Sequence, residues 1–401
     1  MFSENKKAIT ILGVTGSVGQ NAVDVVLSAP ERFCVHGVSG GSNVDLLADS
    51  AKKLGARVAV IADVDKFARL QEALDGTDIE PRCGAAAIEA LAGEQVDLVL
   101  GAILGFAGLR PILAALHAGI NVAVANKEPL VAAGALVMEA ARKSGAHILP
   151  VDSEHNAVFQ VFEERNRDYI EKIILTASGG PFWDWDKQDI ENATVVQAIK
   201  HPNWVMGRKI SVDSASMMNK ALEIIEAHYL FNLPADQIDV LVHPQSVVHS
   251  MVSYADGSVL SQMGASDMRT PIAYALSWPE RMKTPGQVLD FSKMGMLEFR
   301  APDFEKFPAL GYAYRCLEAG SVSCIALNAA NEVAVDLFLR EQISFGDITQ
   351  GVGRVLDEVE KNLKPAEPKT VEEITKWDNV VRDVTRQMLD SNGFKSATGS
   401  Y

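Results

Sequence analysis

The chain has 401 residues, of which 48% are hydrophobic and 22% are charged, and this predicts a globular protein of two or three domains. A formal charge of −15, from 37 basic and 52 acidic residues, disfavours binding to nucleic acids or to anionic membranes. The four cysteines form no CxxC motif, which favours free thiols in a reducing cytoplasm. We expect no targeting peptide ahead of the first strand, and we identify no apolar stretch long enough to span a bilayer.

The first 150 residues alternate short β-branched runs with stretches whose apolar residues recur at helical spacing. Buried strands separated by helices are typical of a parallel sheet that is covered on both faces. We therefore predict an α/β fold in which residues 1–150 form a Rossmann-like, doubly wound domain. The predicted strands are AITIL (8–12), FCVHGV (33–38), RVAVIA (57–62), DLVLGA (97–102), INVAVA (120–125) and HILPV (147–151).

The pattern changes after residue 150. Strand-like runs surround a helical stretch between residues 151 and 300, which predicts a central α+β domain. A segment with proline and phenylalanine, residues 301–312, is the predicted linker. Residues 313–401 are mostly helical in pattern and form the predicted C-terminal helical domain.

A glycine loop, GVTGSVG (13–19), follows the first predicted strand and opens a helix. Glycines at this place allow a tight turn and let the backbone approach a pyrophosphate at the helix N-terminus. A turn without a ligand is the alternative, but the strand before and the helix after favour a nucleotide. The loop SGGSN (39–43) lacks the acid that holds the ribose of NAD, and its Ser42 and Asn43 suit the phosphate of NADP, although the loop has no arginine.

Two acidic residues, Asp152 and Glu154, follow the apolar run HILPV directly. Carboxylates at the end of a buried strand are stable only when they are paired, solvated or bound to a cation. On an extended strand, side chains two positions apart point to the same side. We therefore expect both carboxylates to face one site.

The segment HPNWVMGRKISVDSASMMNKALEIIEAHYLF (201–231) contains a helix with an apolar stripe and a polar face beside it. When this helix is considered alone, a solvated face with one Lys–Glu pair explains the polar residues. Ser214 and the SGG at 178–180 supply hydroxyl groups and flexible backbone of the kind that surrounds phosphate. The polar face consists of Asn219, Lys220, Glu223 and Glu226.

Several long blocks of the sequence, taken together, resemble the 1-deoxy-D-xylulose 5-phosphate reductoisomerase family in content and in order. The resemblance covers nearly the whole chain, from the glycine loop to ALNAANE (326–332). It implies an NADPH-dependent enzyme of non-mevalonate isoprenoid biosynthesis. It also implies a homodimer, in which the central domain, residues 151–300, carries the catalytic residues and forms the dimer interface. The other blocks are NKE (126–128), VDSEHN (151–156), TASGGPF (176–182), HPNWVMGRKISVDSASMMNK (201–220) and HPQSVVHSMV (243–252).

The resemblance also implies roles for individual residues. Asp152, Glu154 and Glu223 are expected to bind one divalent cation, Mg²⁺ or Mn²⁺ with Co²⁺ as an alternative, and carboxylates suit such hard cations. Together with Lys127, which is expected beside the reacting oxygens, they are the expected catalytic residues. The expected substrate ligands are Lys127, Ser153, Glu154, Ser178, His201, Ser214, Asn219, Lys220 and Glu223. The expected NADPH ligands are Thr15, Gly16, Ser17, Val18, Gly41, Ser42, Asn43, Asn126, Glu128 and Gly207.

One residue departs from the family pattern: position 42 is serine, where some members carry lysine. Residues near 199–209, with Trp204, resemble the mobile flap of the family and are expected to form a lid over the substrate. Hydrogen bonding or packing, and not metal binding, is the expected role of His155, His243, His249, Trp183 and Trp185.

The family reaction rearranges a sugar-phosphate skeleton, by retro-aldol cleavage and re-addition or by an α-ketol shift, and then reduces it to 2-C-methyl-D-erythritol 4-phosphate. Two other functions stay open. One is a metal-dependent dehydrogenase that reduces a sugar phosphate without rearranging it. The other is a catalytically silent, NADP-binding regulatory protein.

Overall fold

The computed structural model describes residues 6–204, 206–363 and 366–390. Residues 1–5 and 391–401, which belong to the predicted first and last domains, lie outside the described residues. The first sheet has seven strands in the order β4-β3-β2-β1-β5-β6-β7, and every neighbouring pair is parallel. These strands are β1 (Lys7–Leu12), β2 (Phe33–Gly40), β3 (Val58–Ile61), β4 (Glu80–Cys83), β5 (Leu98–Gly101), β6 (Asn121–Val124) and β7 (Ile148–Pro150).

Helices cover both faces of this sheet, so its inner strands are buried on both sides, as the continuous apolar runs predict. One apolar cluster packs α1 and α2 on one face, and a second packs α4, α5 and α6 on the other. The Rossmann-like prediction is confirmed. The helices are α1 (Ser17–Leu27), α2 (Val44–Leu54), α3 (Phe67–Ala73), α4 (Ala85–Ala92), α5 (Leu109–His117) and α6 (Glu128–Ser144).

The sequence pattern missed one strand of this sheet, the edge strand β4. Its sequence, EPRC, contains a proline and two charged residues, and none of its residues is fully buried. Proline is tolerated at a sheet edge because one side of the strand makes no ladder hydrogen bonds. The strand therefore carries no hydrophobic periodicity.

A second sheet has four strands in the order β11-β10-β8-β9, with β8 and β9 parallel and the other neighbours antiparallel. The buried helix α11 packs in the same apolar cluster as this sheet. The central α+β prediction is therefore confirmed. The strands are β8 (Ile170–Ala177), β9 (Ile238–Val242), β10 (Val248–Tyr254) and β11 (Val259–Met263). The helices of this region are α7 (Ser153–Val161), α8 (Lys187–Glu191), α9 (Val195–Ala198), α10 (Arg208–Ala215), α11 (Met218–Phe231) and α12 (Arg269–Ser277).

The C-terminal part is helical, as predicted. Among the described helices, α14 alone is long and apolar enough to cross a membrane by length and composition, which corrects the expectation that no such stretch exists. However, 83% of its apolar window is buried inside the protein, because α14 packs between α13, α15 and α16. The helices are α13 (Ala309–Ala319), α14 (Ser321–Leu339), α15 (Phe345–Glu358), a π-helical turn (Val359–Leu363) and α16 (Val371–Asp390).

The strand order places the carboxyl ends of β1, β5, β6 and β7 at one edge of the first sheet. The chain leaves β1 toward β2 on one side and reaches β5 on the other, so the order reverses between these two strands. In open parallel sheets, ligands bind in the crevice at such a reversal. The loops that follow these four strands are therefore the place to look for a functional site.

Candidate active site

A cleft opens at this edge of the sheet, between the loops after β1, β5, β6 and β7 and the helices α10 and α11. The structure brings most of the predicted site residues together around it, including residues as far apart in sequence as Gly16 and Glu223. The predicted residues that line the cleft are Gly16, Ser17, Val18, Asn126, Lys127, Glu128, Asp152, Ser153, Glu154, Ser178, His201, Ser214, Asn219, Lys220 and Glu223.

Five predicted cofactor residues do not line the cleft itself: Thr15, Gly41, Ser42, Asn43 and Gly207. Thr15 lies against the second loop, since a Cβ added at Gly40 would come within 2.8 Å of its Cγ2. The two predicted phosphate loops are therefore neighbours. Gly41 faces open space, and Gly207 is the N-cap of α10.

The glycine loop is closely packed. Gly13 has φ +86°, and a Cβ added there would lie 2.4 Å from the carbonyl oxygen of Ala102. A Cβ at Gly19 would lie 2.3 Å from the carbonyl oxygen of Gly13, so glycine lets α1 start close to the strand. The N-cap of α1, Gly16, forms no side-chain cap hydrogen bond, which leaves the first N–H groups of the helix able to bind an anion. This wall of the cleft therefore fits a dinucleotide pyrophosphate.

Three carboxylates converge on the opposite side of the cleft. Asp152, Glu154 and Glu223 place one oxygen each within 4.8 Å of one another. Three oxygen donors at such spacing suit a hard divalent cation, so the residues fit the predicted metal. In each of the three residues less than a fifth of the side chain is exposed.

The geometry around Asp152 differs from the expectation of an extended strand. The chain turns into α7 at this point, so Asp152 is the N-cap and Glu154 lies in the first helical turn. The Asp152 side chain accepts a hydrogen bond from the backbone N–H of Glu154, 3.3 Å away. Aspartate is a preferred N-cap because its oxygen binds free N–H groups, and this local preference ends the strand. The two carboxylates meet through a helix start and not through strand alternation.

Two lysines lie between these carboxylates. The ammonium group of Lys127 donates to Asp152 Oδ2 at 2.7 Å, to Asn219 Oδ1 at 2.9 Å and to Glu223 Oε1 at 3.0 Å. Lys220 bonds to Glu223 and lies 3.3 Å from Glu154 Oε1. Lys220 and Glu223 are almost fully buried, so the interpretation of the polar face of α11 as a solvated surface is wrong.

Burial and these neighbours shift the pKa values of the cluster. Burial, with repulsion from Glu223 and Asp152, raises the pKa of Glu154 to about 7 despite the attraction of Lys220. Burial would also raise the pKa of Asp152, but Lys127 and His155 outweigh it and hold this pKa well below its usual range. The same cluster therefore contains one firmly ionised carboxylate and one that protonates near neutral pH.

His155 lies behind the cluster and supports it. Its Nδ1 is 3.0 Å from Asp152 Oδ1 and 3.3 Å from Glu226 Oε2, and its Nε2 is 2.9 Å from the carbonyl oxygen of Glu223. The ring thus touches two of the predicted metal ligands from the protein side, as a residue that orients ligands does.

A third part of the cleft centres on Ser178. Its hydroxyl oxygen lies 2.9 Å from His201 Nε2 and accepts from the backbone N–H of Gly180 at 3.2 Å. His201 Nδ1 accepts from the N–H groups of Asn203 and Trp204, at 3.1 and 2.9 Å. A neutral ring must therefore carry its proton on Nε2 and donate it to Ser178. With both donors aimed at its oxygen, the hydroxyl hydrogen of Ser178 is left to donate to another acceptor.

The remaining aromatic residues and histidines take the predicted supporting roles. Trp183 stacks on Phe307 with ring centroids 5.8 Å apart, and Trp185 packs on Phe182 at 4.6 Å. His243 Nδ1 bonds to the carbonyl oxygen of Glu298 at 2.7 Å, and His249 Nδ1 to Gln262 at 3.0 Å. None of these residues lines the cleft.

Family models match three segments of the chain. Residues 9–134 match 1-deoxy-D-xylulose 5-phosphate reductoisomerase, residues 148–231 match the C-terminal domain of that enzyme, and residues 263–384 match the DXP reductoisomerase C-terminal domain. The 1-deoxy-D-xylulose 5-phosphate reductoisomerase of Bradyrhizobium diazoefficiens is 48% identical over 98% of this chain and 96% of its own length. This chain belongs to the 1-deoxy-D-xylulose 5-phosphate reductoisomerase family.

Other members of the reductoisomerase family agree in sequence and in fold. The enzyme of Rhodospirillum centenum is 51% identical over 96% of this chain and 94% of its own length. The structure of the Zymomonas mobilis enzyme in complex with NADPH is 45% identical, covers 96% of this chain and 100% of that one, and has a TM-score of 0.90. A DOX-P reductoisomerase crystallised with NADPH, fosmidomycin and magnesium is 41% identical over 96% and 98% of the two chains, with a TM-score of 0.91.

Several residues of this family member were missed by the sequence analysis although they line the cleft or adjoin it. Lys209 and Asp213 line it from α10, and their spacing of four residues was the available signal. Arg69, on α3, donates to Asp45 in the first turn of α2 at 2.8 Å. It brings a positive charge beside the loop SGGSN, which has none of its own. Other missed lining residues are Asn21, Leu104, Met206 and Met268.

Proposed function

We propose that this protein converts 1-deoxy-D-xylulose 5-phosphate to 2-C-methyl-D-erythritol 4-phosphate, using NADPH and a divalent cation, in non-mevalonate isoprenoid biosynthesis. The observation that carries the proposal is that one cleft joins the uncapped start of α1 to the carboxylates of Asp152, Glu154 and Glu223, with Lys127 among them. Membership of the reductoisomerase family supports the same reaction. Residues 1–150 are proposed to bind NADPH and residues 151–300 to catalyse.

The proposed metal ligands are Asp152, Glu154 and Glu223. When bound there, the cation would supply a Lewis acid for neighbouring oxygens of the substrate, and NADPH would supply the hydride. Lys127 is proposed to exchange one of its three protein acceptors for a reacting oxygen of the substrate, because its ammonium group lies in the cleft and has only three hydrogens to donate. A fixed positive charge in a buried site stabilises the negative charge that develops while one carbon–carbon bond breaks and another forms.

The proposed phosphate site is the polar wall opposite the glycine loop. Ser178 would donate its hydroxyl hydrogen, because two other donors already occupy its oxygen. Its position beside the lid segment 200–207 would place the phosphate under Trp204 and Met206, which also line the cleft. Covering the substrate in this way would exclude water from the reactive intermediate. The other proposed substrate ligands are Ser153, His201, Ser214, Asn219 and Lys220.

We further propose a homodimer formed through β11. This strand is the edge of the second sheet, and Val259 and Leu260 on it are 51% and 39% exposed. The segment 279–304, which follows α12, also exposes Val288, Phe291 and Met296 by more than 60% each. An exposed apolar edge is open to pairing with a second chain. Sedimentation of Leu260→Lys tests this, and an unchanged mass relative to the wild type would reject this interface.

The proposed location is the cytoplasm, because all four cysteines are free thiols and no pair of them forms a disulfide.

The experiment that tests the reaction is a single assay with 1-deoxy-D-xylulose 5-phosphate and NADPH, with Mg²⁺ or with a chelator. We expect NADPH oxidation only with Mg²⁺ and a branched carbon skeleton in the product, as read by NMR of carbon-labelled substrate. A linear product would indicate a dehydrogenase that does not rearrange its substrate. Absence of any oxidation would indicate a silent NADP-binding protein.

A further inference from the structure

A chain of buried polar contacts leads from the cleft to the C-terminal helix α14. The ammonium group of Lys209 donates to Glu128 Oε1 at 2.8 Å and lies 2.9 Å from Asp213 Oδ2. The other oxygen of that carboxylate, Asp213 Oδ1, accepts from the amide nitrogen of Asn331 at 2.8 Å. These side chains come from α6, α10 and α14, so the contacts join three separate regions of the chain.

Asn331 is fully buried, and its amide oxygen has no hydrogen-bond partner among the described residues. A buried polar atom without a partner destabilises the fold. Turning the amide over would not help, because its oxygen would then face the carboxylate of Asp213. An apolar residue of the same size would avoid this penalty but would leave Asp213 Oδ1 unbonded. The contact with Asp213 is therefore the feature that accounts for an amide at this position.

The charges around Lys209 explain why Asp213 needs a second donor. Glu128 and Asp213 are both almost fully buried, and they share one ammonium group. Burial would lower the pKa of Lys209, but the carboxylates around it, Asp213 first, outweigh burial and raise it. One ammonium group cannot neutralise two carboxylates, so the Asn331 N–H supplies the remaining stabilisation of Asp213.

These contacts act on the start of α10, which follows the lid segment 200–207 directly. The N-cap of α10, Gly207, forms no side-chain cap hydrogen bond. Lys209 ties this first turn to α6, and Asp213, one turn further along the eight-residue helix, contacts both Lys209 and Asn331 of α14. The position of α10 fixes where the lid segment ends, so whatever holds Asp213 also holds one end of the lid.

The same part of α14 also contacts the loop after β5, which lines another part of the cleft. Glu332 lies beside Gly105, where an added Cβ would come within 3.1 Å of its Oε1. Gly105 follows Leu104, which lines the cleft from the loop after β5. Glu332 is itself held by Arg382 of α16 at 2.6 Å. Helix α14 therefore supports the lid side and the loop side of the cleft together.

We propose that Asn331 is a positioning residue for the lid: by holding Asp213, it fixes the start of α10 and thereby how the segment 200–207 closes over the cleft. This gives the C-terminal helices a part in substrate binding although Asn331 does not line the cleft. The kinetic test of this proposal depends on the reaction proposed above, whereas the cleavage test does not.

The experiment compares Asn331→Leu with Asn328→Leu. Asn328 is a matched control, because it is fully buried on the same helix and its amide oxygen also has no partner among the described residues, yet it bonds to Glu332 and not to Asp213. Trypsin cleavage after Lys200 and Arg208 reports the mobility of the lid segment. We expect cleavage of the ligand-free enzyme to be about fivefold faster in Asn331→Leu than in the control, with similar melting temperatures.

The kinetic measurement should separate binding from chemistry. Loss of one hydrogen bond to a charged group predicts a rise of about tenfold in substrate KM, with kcat changed by less than about threefold. Equal cleavage rates in the two variants would overturn the proposal. If the enzyme turned over no substrate at all, the proposed reaction would fail, but the cleavage comparison would still decide the role of Asn331.

Asp213→Leu provides an independent variant, because leucine has no atom that can accept the hydrogen bond from Asn331. If Asn331 acts through Asp213, adding Asn331→Leu to this variant should change the cleavage rate by less than about twofold, because the interaction is already lost. If the increases in cleavage rate of the two single variants multiplied in the double variant, Asn331 would act by another route and the proposal would be overturned. If Asn331→Leu does not fold, Asp213→Leu must by itself speed cleavage, and an unchanged cleavage rate in that variant would overturn the proposal.

Discussion

The two walls of the cleft consist of different chemical groups. The cofactor wall is mostly backbone: closely packed glycines and the free N–H groups at the start of α1. The opposite wall is a network of buried charged side chains, in which Lys127 and Lys220 bridge three carboxylates. Backbone groups do not depend on the identity of a side chain, whereas every member of an ion-pair network depends on the others. Except at the closely packed glycines, where any side chain would clash, single substitutions should therefore damage the second wall far more than the first.

The largest effect is expected from Glu223→Gln, which removes one charge from the proposed metal site at constant size. Loss of the Lewis acid should reduce kcat by about a thousandfold. Without metal the melting temperature should fall, because Glu223 is buried and paired with both lysines. NADPH affinity should not change. Titration of activity with Mg²⁺, together with melting curves and NADPH binding, measures all three effects.

Glu226→Gln is the matched control for that variant. It lies one turn further along the same helix and contacts His155 instead of lining the cleft. Residues behind a metal site change activity by about tenfold to a hundredfold. If Glu223→Gln lost no more activity than this control, or kept its Mg²⁺ requirement unchanged, Glu223 would not be a metal ligand.

A smaller effect is expected from Ser178→Ala on the same wall. If Ser178 binds the substrate phosphate as proposed, removing its hydroxyl should raise substrate KM by about ten- to thirtyfold. The KM for NADPH should stay within about twofold, because the glycine loop lies on the other wall. Steady-state kinetics for both substrates separate the two. Equal changes in both KM values would show that the walls are not independent.

The lid should contribute less than the phosphate site. Trp204 and Met206 line the cleft from the segment 200–207. Trp204→Ala removes aromatic cover, so binding of the substrate or of a phosphonate inhibitor should weaken by about fivefold with the melting temperature unchanged. In the wild type, ligand should also slow trypsin cleavage after Lys200. Cleavage that does not respond to ligand would count against a moving lid.

The cofactor wall should tolerate substitution better. We expect the enzyme to prefer NADPH to NADH, since the loop SGGSN has no acid. Arg69→Ala would leave the Asp45 carboxylate unpaired beside the loop that is proposed to bind the 2′-phosphate of NADPH. This change should lower kcat/KM for NADPH by about fivefold, but not for NADH, which lacks that phosphate. Ser42→Ala, the control, should change either value by less than about twofold. A thousandfold loss of kcat/KM in either variant would show that the cofactor wall is as sensitive to substitution as the opposite wall.

The smallest effect concerns stability and pH. Burial lowers the pKa of His201 from 6.5 to about 4. The unfolded chain therefore binds a proton before the folded protein does, and the stability that comes from neutral His201 is lost as the pH falls from 6.5 toward 4. His201→Gln should have a melting temperature that declines less over this range than that of the wild type. If the melting temperatures of the two proteins declined equally between pH 6.5 and pH 4, His201 would not titrate in this way.

The two walls also differ in how well their sequence predicts them. The glycine loop is a local motif between a strand and a helix, so its position followed from 13–19 alone. The ion-pair network joins Lys127 to Asp152 and to Glu223, which are 25 and 96 residues away. No periodicity predicts that these side chains meet, and the helix face that carries Glu223 and Lys220 has the pattern of a solvated surface. The resemblance to the reductoisomerase family supplied what the pattern could not.

Other differences have local causes. The preference of aspartate for an N-cap turned the predicted strand end at Asp152 into the start of α7. Edge strand β4 carries a proline and charges and has no apolar alternation. The contact between Asp213 and Asn331 spans 118 residues and could not be predicted without coordinates.

One imidazole ring joins the proposed lid to the proposed phosphate site. His201 accepts from the N–H groups of Asn203 and Trp204 through one nitrogen and donates to Ser178 through the other. The two sites are then thermodynamically linked, so any factor by which an ordered lid tightens anion binding must equal the factor by which a bound anion favours the ordered lid. Inorganic phosphate alone should therefore raise the fraction of molecules whose lid is ordered, even without a sugar to cover.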